Sequence, residues 1–493
     1  MAQDGVFPEG FLWGTAMSGF QVEMGRGPVD SNSDWFKWVH DRENIRSGVV
    51  SGDLPEDGPG FWELYEEDLL RARKELNNNA VRLSVEWSRI FPHPTLNIPA
   101  RVIRDRRGNV ERVDIPKSSM DELEKLANES AVKRYREILR KARELGLEIL
   151  LTVYHWPLPL WLHDPIECKH DLIHAEKRGW LSDATIVEFA KLSAYVAKAF
   201  GDLVDLYATI NEPIVVAFNG YLSPKTGFPP GLKDLNLALR VLKSLAIAHG
   251  IAYEQIKRWD RVSASRYGPA TVGIVQSLRL IKPYDAKNPD DVEAAEIWWY
   301  AWNEWILNAV IQGDYDMCLD MVVDSEEKFP NLVKGCDYLG VNYYRRQRVK
   351  GVEGGGYHPI FRVRAVPCEG DCTDFGWEIY PKGMREILNW AYRKYRRKVI
   401  ITENGIADAS GEKRPRYLLD HLREVHKAID EDGIPVKGYF HWSLIDNYEW
   451  ARGFEMRFGL YKVDYRTKER IPTKAVELYG RICRENALPK SST

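Results

Sequence analysis

The fold class this sequence predicts is α/β, a (β/α)8 TIM barrel with long insertions in its βα loops. Three observations predict it. Short apolar runs alternate with longer amphipathic stretches along all 493 residues. Eight such runs can be marked, enough to close a parallel sheet on itself. The C-terminal ends of these runs carry carboxylates, amides and aromatic rings, where a barrel places its chemistry. No repeat of fixed period and no low-complexity segment competes with this reading.

The elements follow in order. Candidate strands cover residues 11–16, 80–85, 148–155, 206–211, 271–277, 338–344, 398–404 and 438–444. Runs such as EILLTVYH and KVIITEN are almost continuously apolar, which suits strands buried on both faces. Between them, WELYEEDLLRARKEL, DELEKLANESAVKRYREILRKARE and RYLLDHLREVHKAI repeat apolar residues at helical spacing, with charges opposite. Length beyond a minimal barrel falls into insertions near residues 25–60, 91–120 and 345–376, after strands one, two and six. They are rich in Pro, Gly and charge and read as loops. No linker divides the chain, so residues 1–493 read as one domain.

Composition narrows the function. There are 69 Lys and Arg against 72 Asp and Glu, a net charge of −3. No basic surplus exists to bind nucleic acid by counterion release. With 44% hydrophobic and 29% charged residues the chain reads as folded and soluble. No apolar run reads as approaching the roughly 20 residues of a membrane span. The opening MAQDGVFPEGFLWG lacks the pattern of a signal peptide. A cytoplasmic location without membrane partners is the expectation. Six Cys are too few for a disulfide scaffold. Cys368 and Cys372 form a C-x3-C with no second ligand pair at zinc spacing. They read as two loop thiols, with a disulfide as the alternative. The Asn128-Glu129-Ser130 sequon falls inside a predicted helix. The 17 Trp, 24 Tyr and 16 Phe suit either a large core or a pocket with aromatic walls.

The strand ends decide more. Strand four ends in TINEP, with Asn211 and Glu212, and strand seven in ITENG, with Glu403. Strand three supplies His155 and Trp156, strand six Asn342 and Tyr344, and strand two Arg82. Strand eight runs into HWSLIDNYEW, with Trp442, Glu449 and Trp450, and Gln21 follows strand one. Two carboxylates across a barrel mouth are what glycoside hydrolysis needs: one protonates the leaving oxygen, and the other attacks the anomeric carbon or activates water. Rim carboxylates can also hold a metal. The ends lack a tight ligand cluster, however, because His155 is the only rim histidine beside His441. No metal and no cofactor is expected.

These residues resemble glycoside hydrolase family 1, the retaining β-glycosidases. The resemblance runs from FLWGTAMSGFQVEMG to YEWARGFEMRFGLYKVDY, and TINEP with ITENG is its most specific part. WVHDRENIRSGVVSGDLPEDGPG and WPLPLWLHDP resemble the hyperthermophilic archaeal β-glucosidase/β-galactosidase branch. That branch is generally tetrameric and cytoplasmic. The resemblance implies Glu403 as nucleophile and Glu212 as general acid/base. Asn211 would bond the sugar 2-hydroxyl. Arg82 and Tyr344 would hold the nucleophile, with Asn342 in support. Gln21, His155, Trp156, Asn211, Glu449 and Trp450 would form the sugar pocket, over Trp442 as its floor. Trp377 would line the aglycone side, and Phe458 would lie near the 6-hydroxymethyl group.

The implied substrate is a β-linked oligosaccharide or an aryl or alkyl glycoside, with terminal β-glucose or β-galactose removed and transglycosylation as a side activity. A β-mannosidase is the alternative within the family. A non-catalytic carbohydrate-binding barrel is the alternative outside it, and the presence of both glutamates speaks against that. The physical chemistry agrees with these roles. A cation beside Glu403 should lower its pKa, while burial and the charge of Glu403 should raise that of Glu212. An acid at Glu449 would repel a sugar phosphate.

Overall fold

The computed structural model describes residues 5–353 and 362–490. The eight apolar runs are eight parallel strands: β1 (Leu12–Ala16), β2 (Ala80–Ser84), β3 (Glu148–Tyr154), β4 (Leu206–Asn211), β5 (Thr271–Pro283), β6 (Tyr338–Gly351), β7 (Lys398–Asn404) and β8 (Val436–Trp442). Each pairs with the next, and β8 pairs with β1, so the sheet closes into a barrel. Helices fill the crossovers and pack their apolar faces on the outside.

Side-chain alternation in the strands builds the interior. Leu12, Ala80, Leu150, Leu206, Val275, Tyr338, Ile400 and Phe440, one from each strand, form a single buried cluster. Phe440 fills space that would be closed to a side chain at Gly14, whose Cβ would lie 2.5 Å from the ring. Two residues further on, the same faces of β2, β3, β7 and β8 carry Arg82, Thr152, Thr402 and Trp442. The barrel thus changes from aliphatic to polar toward its C-terminal mouth.

Several expectations need correction. β5 and β6 run past 277 and 344, staying paired out to Pro283 and Val349. The first part of the expected loop at 345–376 is therefore strand. It also pairs antiparallel with Val363–Ala365, while residues 354–361 lie outside the described residues. The insertion near 91–120 contains a hairpin of Arg101–Arg104 with Val110–Asp114. Its turn is set by Asp105, which accepts from the Arg107 and Asn109 amides, and by Gly108 at φ +82°. The insertion near 25–60 holds two short helices, Asp34–His40 and Arg42–Arg46.

The long amphipathic stretch after residue 120 is two helices, Lys117–Leu126 and Glu129–Glu144. Asn128 breaks it because its side chain caps the second helix at the Ala131 amide, 3.3 Å away. Asn128 is thus a cap and not an interior helix residue. Helix Leu235–Trp259 is apolar and long enough to match a membrane span by composition, contrary to the sequence expectation. It is 72% buried over that window and packs on Asp183–Phe200, as a core helix does.

Cys368 and Cys372 form a disulfide, not the pair of loop thiols expected. Their Cα atoms lie 6.1 Å apart, within bonding reach, because the intervening chain folds back on itself.

Candidate active site

Glu403 ends β7 and is 4% exposed. Its Oε1 accepts from Arg82 Nη1 at 2.5 Å, and its Oε2 from the Tyr344 hydroxyl at 2.6 Å. An irregular register between Ile401 and Glu403 against β6 lets successive residues serve the site. Thr402 donates to Asn342 Oδ1 at 2.6 Å while Glu403 meets Arg82. Gly405, two residues on, has no room for a Cβ, which would run into the Trp442 carbonyl oxygen. That fit explains the glycine of ITENG.

Arg82 is buried and fully engaged. Besides Glu403 it donates through Nη2 to Asn211 Oδ1 (2.7 Å) and through Nε to Thr152 Oγ1 (3.1 Å). These bonds fix the amide of Asn211, whose Nδ2 then donates to His155 Nε2 at 3.0 Å. Burial, reinforced by the Arg82 charge, holds His155 well below the usual imidazole range, so the ring is neutral. With Nε2 accepting, the proton sits on Nδ1. That buried atom has no partner among the described residues.

Glu212 follows β4 at φ +47°, a left-handed conformation unusual outside glycine. Trp156 (φ +89°) and Trp450 (φ +52°) share this feature, and their rings meet at 4.5 Å. Such backbones cost about 1–3 kcal/mol each and tend to gather at functional sites. Glu212 Oε1 accepts from Asn342 Nδ2 at 2.8 Å. Burial, followed by the charge of Glu403, pushes its carboxyl up to about 8.

Glu403 corrects one expectation. Burial outweighs Arg82 and leaves its carboxyl above the ordinary value. Glu403 still receives bonds from a guanidinium and a phenol, where Glu212 receives one from a neutral amide. The negative charge of the pair is therefore better held on Glu403 and the proton on Glu212.

The remaining residues gather around this pair. Gln21 Nε2 donates to Glu449 Oε2 (3.2 Å) and to the Tyr448 carbonyl (3.1 Å). Its own short helix, Gly19–Val22, is pinned by Ser84 and Glu86, which accept from the Gly19 and Phe20 amides. Burial and Glu403 push Glu449 up to about 8. Trp442 lies nearly parallel to His155, with ring centroids 6.0 Å apart. Trp156 Nε1 donates to the Asn211 carbonyl at 2.9 Å. Tyr344, Trp377 and Phe458 form one aromatic group.

A cavity of about 320 Å³ opens onto the site and exposes Glu212, Glu449, Tyr344, Trp156, Trp377 and Trp450. All fourteen side chains expected at the site fall in this network or on this wall. Sequence reasoning missed Thr152, Thr402, Arg279, Arg345 and Phe375. A polar residue interrupting an apolar strand, as in LLTVY and IITEN, is the signal that could have revealed the two threonines.

Comparisons with known proteins identify the family. The profile of glycosyl hydrolase family 1 matches residues 3–100 and 120–488. A β-galactosidase of Pyrococcus woesei is 42% identical, over 98% of each chain. The crystal structure of the β-glycosidase of Thermosphaera aggregans superposes with a TM-score of 0.89 at 38% identity, covering 98% of both chains. A β-glucosidase mutant derived from a hyperthermophilic tetramer superposes at 0.86 with 38% identity, over 98% of this chain and 97% of that one. An eight-stranded barrel, two buried glutamates at the ends of β4 and β7 and a match over nearly its whole length lead to one conclusion: the chain is a glycoside hydrolase and belongs to glycosyl hydrolase family 1.

Proposed function

We propose that the protein is a retaining exo-β-glycosidase that removes terminal β-glucose and β-galactose by double displacement. One observation carries the reading: two buried glutamates have different partners, a guanidinium and a phenol on Glu403 and one neutral amide on Glu212. Glu403, clamped by Arg82 and Tyr344, attacks the anomeric carbon. Glu212 gives its proton to the departing oxygen. The glycosyl ester so formed removes the charge of Glu403, and with it part of what holds the Glu212 proton in place. Glu212 then takes a proton from water, and the water releases the sugar. A second sugar hydroxyl in place of water gives transglycosylation.

Asn211, His155, Gln21 and Glu449 bond the sugar edge, with Trp442 under its face. The galactosidase and glucosidase names of the relatives support this choice of sugar. The tetrameric origin of one structural neighbour supports a homo-tetramer. A cytoplasmic location completes the proposal.

The test is proton NMR of the first product from an aryl β-glucoside. The β-anomer appearing first supports retention, and the α-anomer refutes it. Initial rates on p-nitrophenyl β-glucoside, β-galactoside and β-mannoside place the sugar preference. Mannoside ahead of both others overturns the specificity assigned here.

The pH profile checks the protonation states. Glu212 must carry its proton for the first step, so kcat/KM should fall as pH rises through about 8. The acid limb should report protonation of Glu403. Tyr344→Phe deletes a hydrogen bond that favours ionised Glu403. Its acid limb should therefore move to higher pH by about one unit, with the basic limb little changed. An unmoved acid limb removes Tyr344 from this role.

A further inference from the structure

Asn342 stands between the two glutamates. It lies opposite Glu403 in the β6–β7 register. Its Nδ2 carries two hydrogens. One goes to Glu212 Oε1 at 2.8 Å and the other to Asn211 Oδ1 at 3.2 Å. Asn211 Oδ1 also accepts from Arg82 Nη2 at 2.7 Å, so it is the acceptor end of that amide. The end of Asn342 that faces it must therefore be the NH2 end. The Asn342 carbonyl then points the other way, where the Thr402 hydroxyl donates to it at 2.6 Å. Both side chains are fully buried, and a buried carbonyl is costly to leave without a donor.

The strand itself does not call for that hydroxyl. Thr402 continues the run Val399, Ile400, Ile401 in KVIITEN, where a valine would suit a buried strand equally well. What the hydroxyl adds is the bond to Asn342. Asn342 in turn acts on Glu212. Burial and then Glu403 on β7 raise the Glu212 carboxyl, while the Asn342 hydrogen bond, Arg279 on β5 and Arg82 on β2 lower it. Glu449, after β8, and Tyr344 on β6 also feel the charge of Glu212, and His155 is neutral. Removing the Thr402 hydroxyl changes none of these charges. It changes how firmly an amide hydrogen is held to Glu212, and that hydrogen favours the ionised carboxyl.

We propose that Thr402 is a positioning residue for the acid/base: its hydroxyl holds the Asn342 amide so that an N–H faces Glu212, which keeps Glu212 able to ionise and act as base in the second step. The inference rests on the glycosidase reading above and adds a residue to it.

The test sets Thr402→Val, which keeps the branched shape, against Thr402→Ser, which keeps the hydroxyl. The kcat/KM profile on an aryl β-glucoside reads Glu212 in the free enzyme, where it must be protonated. The kcat profile on dinitrophenyl β-glucoside reads it in the glycosyl-enzyme, where it must be ionised. In Thr402→Val the basic limb of the first and the acid limb of the second should both move to higher pH, by about half a unit to one unit. On the acid side kcat for the dinitrophenyl substrate should fall by about three- to tenfold, the same shift read as a rate. Thr402→Ser should leave both limbs at their wild-type positions. In an Asn342→Ala background the valine should move neither limb further, because no amide remains to be held.

Limbs that stay in place while rates fall by a common factor would make Thr402 part of the packing only and overturn the proposal. A shift that persists with alanine at 342 overturns it too. Thermal melting checks that each variant is folded, and Thr402→Ala gives the same reading where valine disturbs the strand. Carbon NMR of protein labelled at the glutamate carboxyl, with Glu212→Gln to assign the signal, follows Glu212 without turnover. An unmoved titration there in Thr402→Val overturns the positioning role, whereas a wild type that hydrolyses with inversion fails the glycosidase reading alone.

Discussion

Replacing Glu403 by Gln should lower kcat on aryl β-glucosides by about 10⁴-fold or more, because the amide keeps the shape of the carboxyl but cannot form the glycosyl ester. Sugar binding should survive. Gln21, His155, Asn211 and Glu449 do not depend on that charge for their hydrogen bonds to one another. Arg82 would lose its ionic partner while buried, yet it keeps Asn211, Thr152 and the Thr402 carbonyl. The fold should therefore persist with a lower melting temperature. Steady-state rates and calorimetric titration with a competitive sugar inhibitor check both halves. A variant with near wild-type turnover, at a purity that excludes carry-over, would show that the nucleophile lies elsewhere.

Glu212→Ala should divide substrates by their leaving groups. With an unactivated alkyl glycoside the first step loses its proton donor and slows by about 10²–10⁴-fold. With dinitrophenyl glucoside the leaving group needs little help. The first turnover should then be fast and the second step slow, giving a burst followed by a low steady rate. The small side chain leaves room beside the anomeric carbon for azide. Added azide should restore turnover and yield the β-glycosyl azide, since attack on an α-linked ester inverts it. Lack of rescue, or an α-azide product, would remove Glu212 from the acid/base role.

The same residues show how far the sequence could be read. The barrel was legible because strands buried on both faces leave apolar runs, and because helices facing them keep a helical period. The site was legible because a barrel delivers residues at the ends of its strands, and those ends are short stretches of chain. Its inner supports were hidden. Thr152 and Thr402 are unremarkable in a strand until closure brings them to Arg82 and Asn342.

The positive φ of Glu212, Trp156 and Trp450 is a tertiary constraint with no signature in residues that are not glycine. The balance at Glu403 was also out of reach. A neighbouring cation could be anticipated from Arg82, but the burial that outweighs it depends on how tightly the barrel mouth is packed. The split of the 117–144 stretch turned on one local hydrogen bond from Asn128, weighed against continuing a helix. The Cys368–Cys372 bond depended on a chain reversal that spacing alone does not specify.

The most direct test of the central claim is to trap the covalent intermediate. A 2-deoxy-2-fluoro-β-glucosyl donor with a dinitrophenolate leaving group slows both steps but spares the first more than the second. Incubation followed by proteolysis and mass spectrometry should find one fluoroglucosyl group, on Glu403 in the KVIITEN segment. An adduct on another residue, or no adduct together with an α-configured first product from an ordinary glucoside, would contradict double displacement through Glu403.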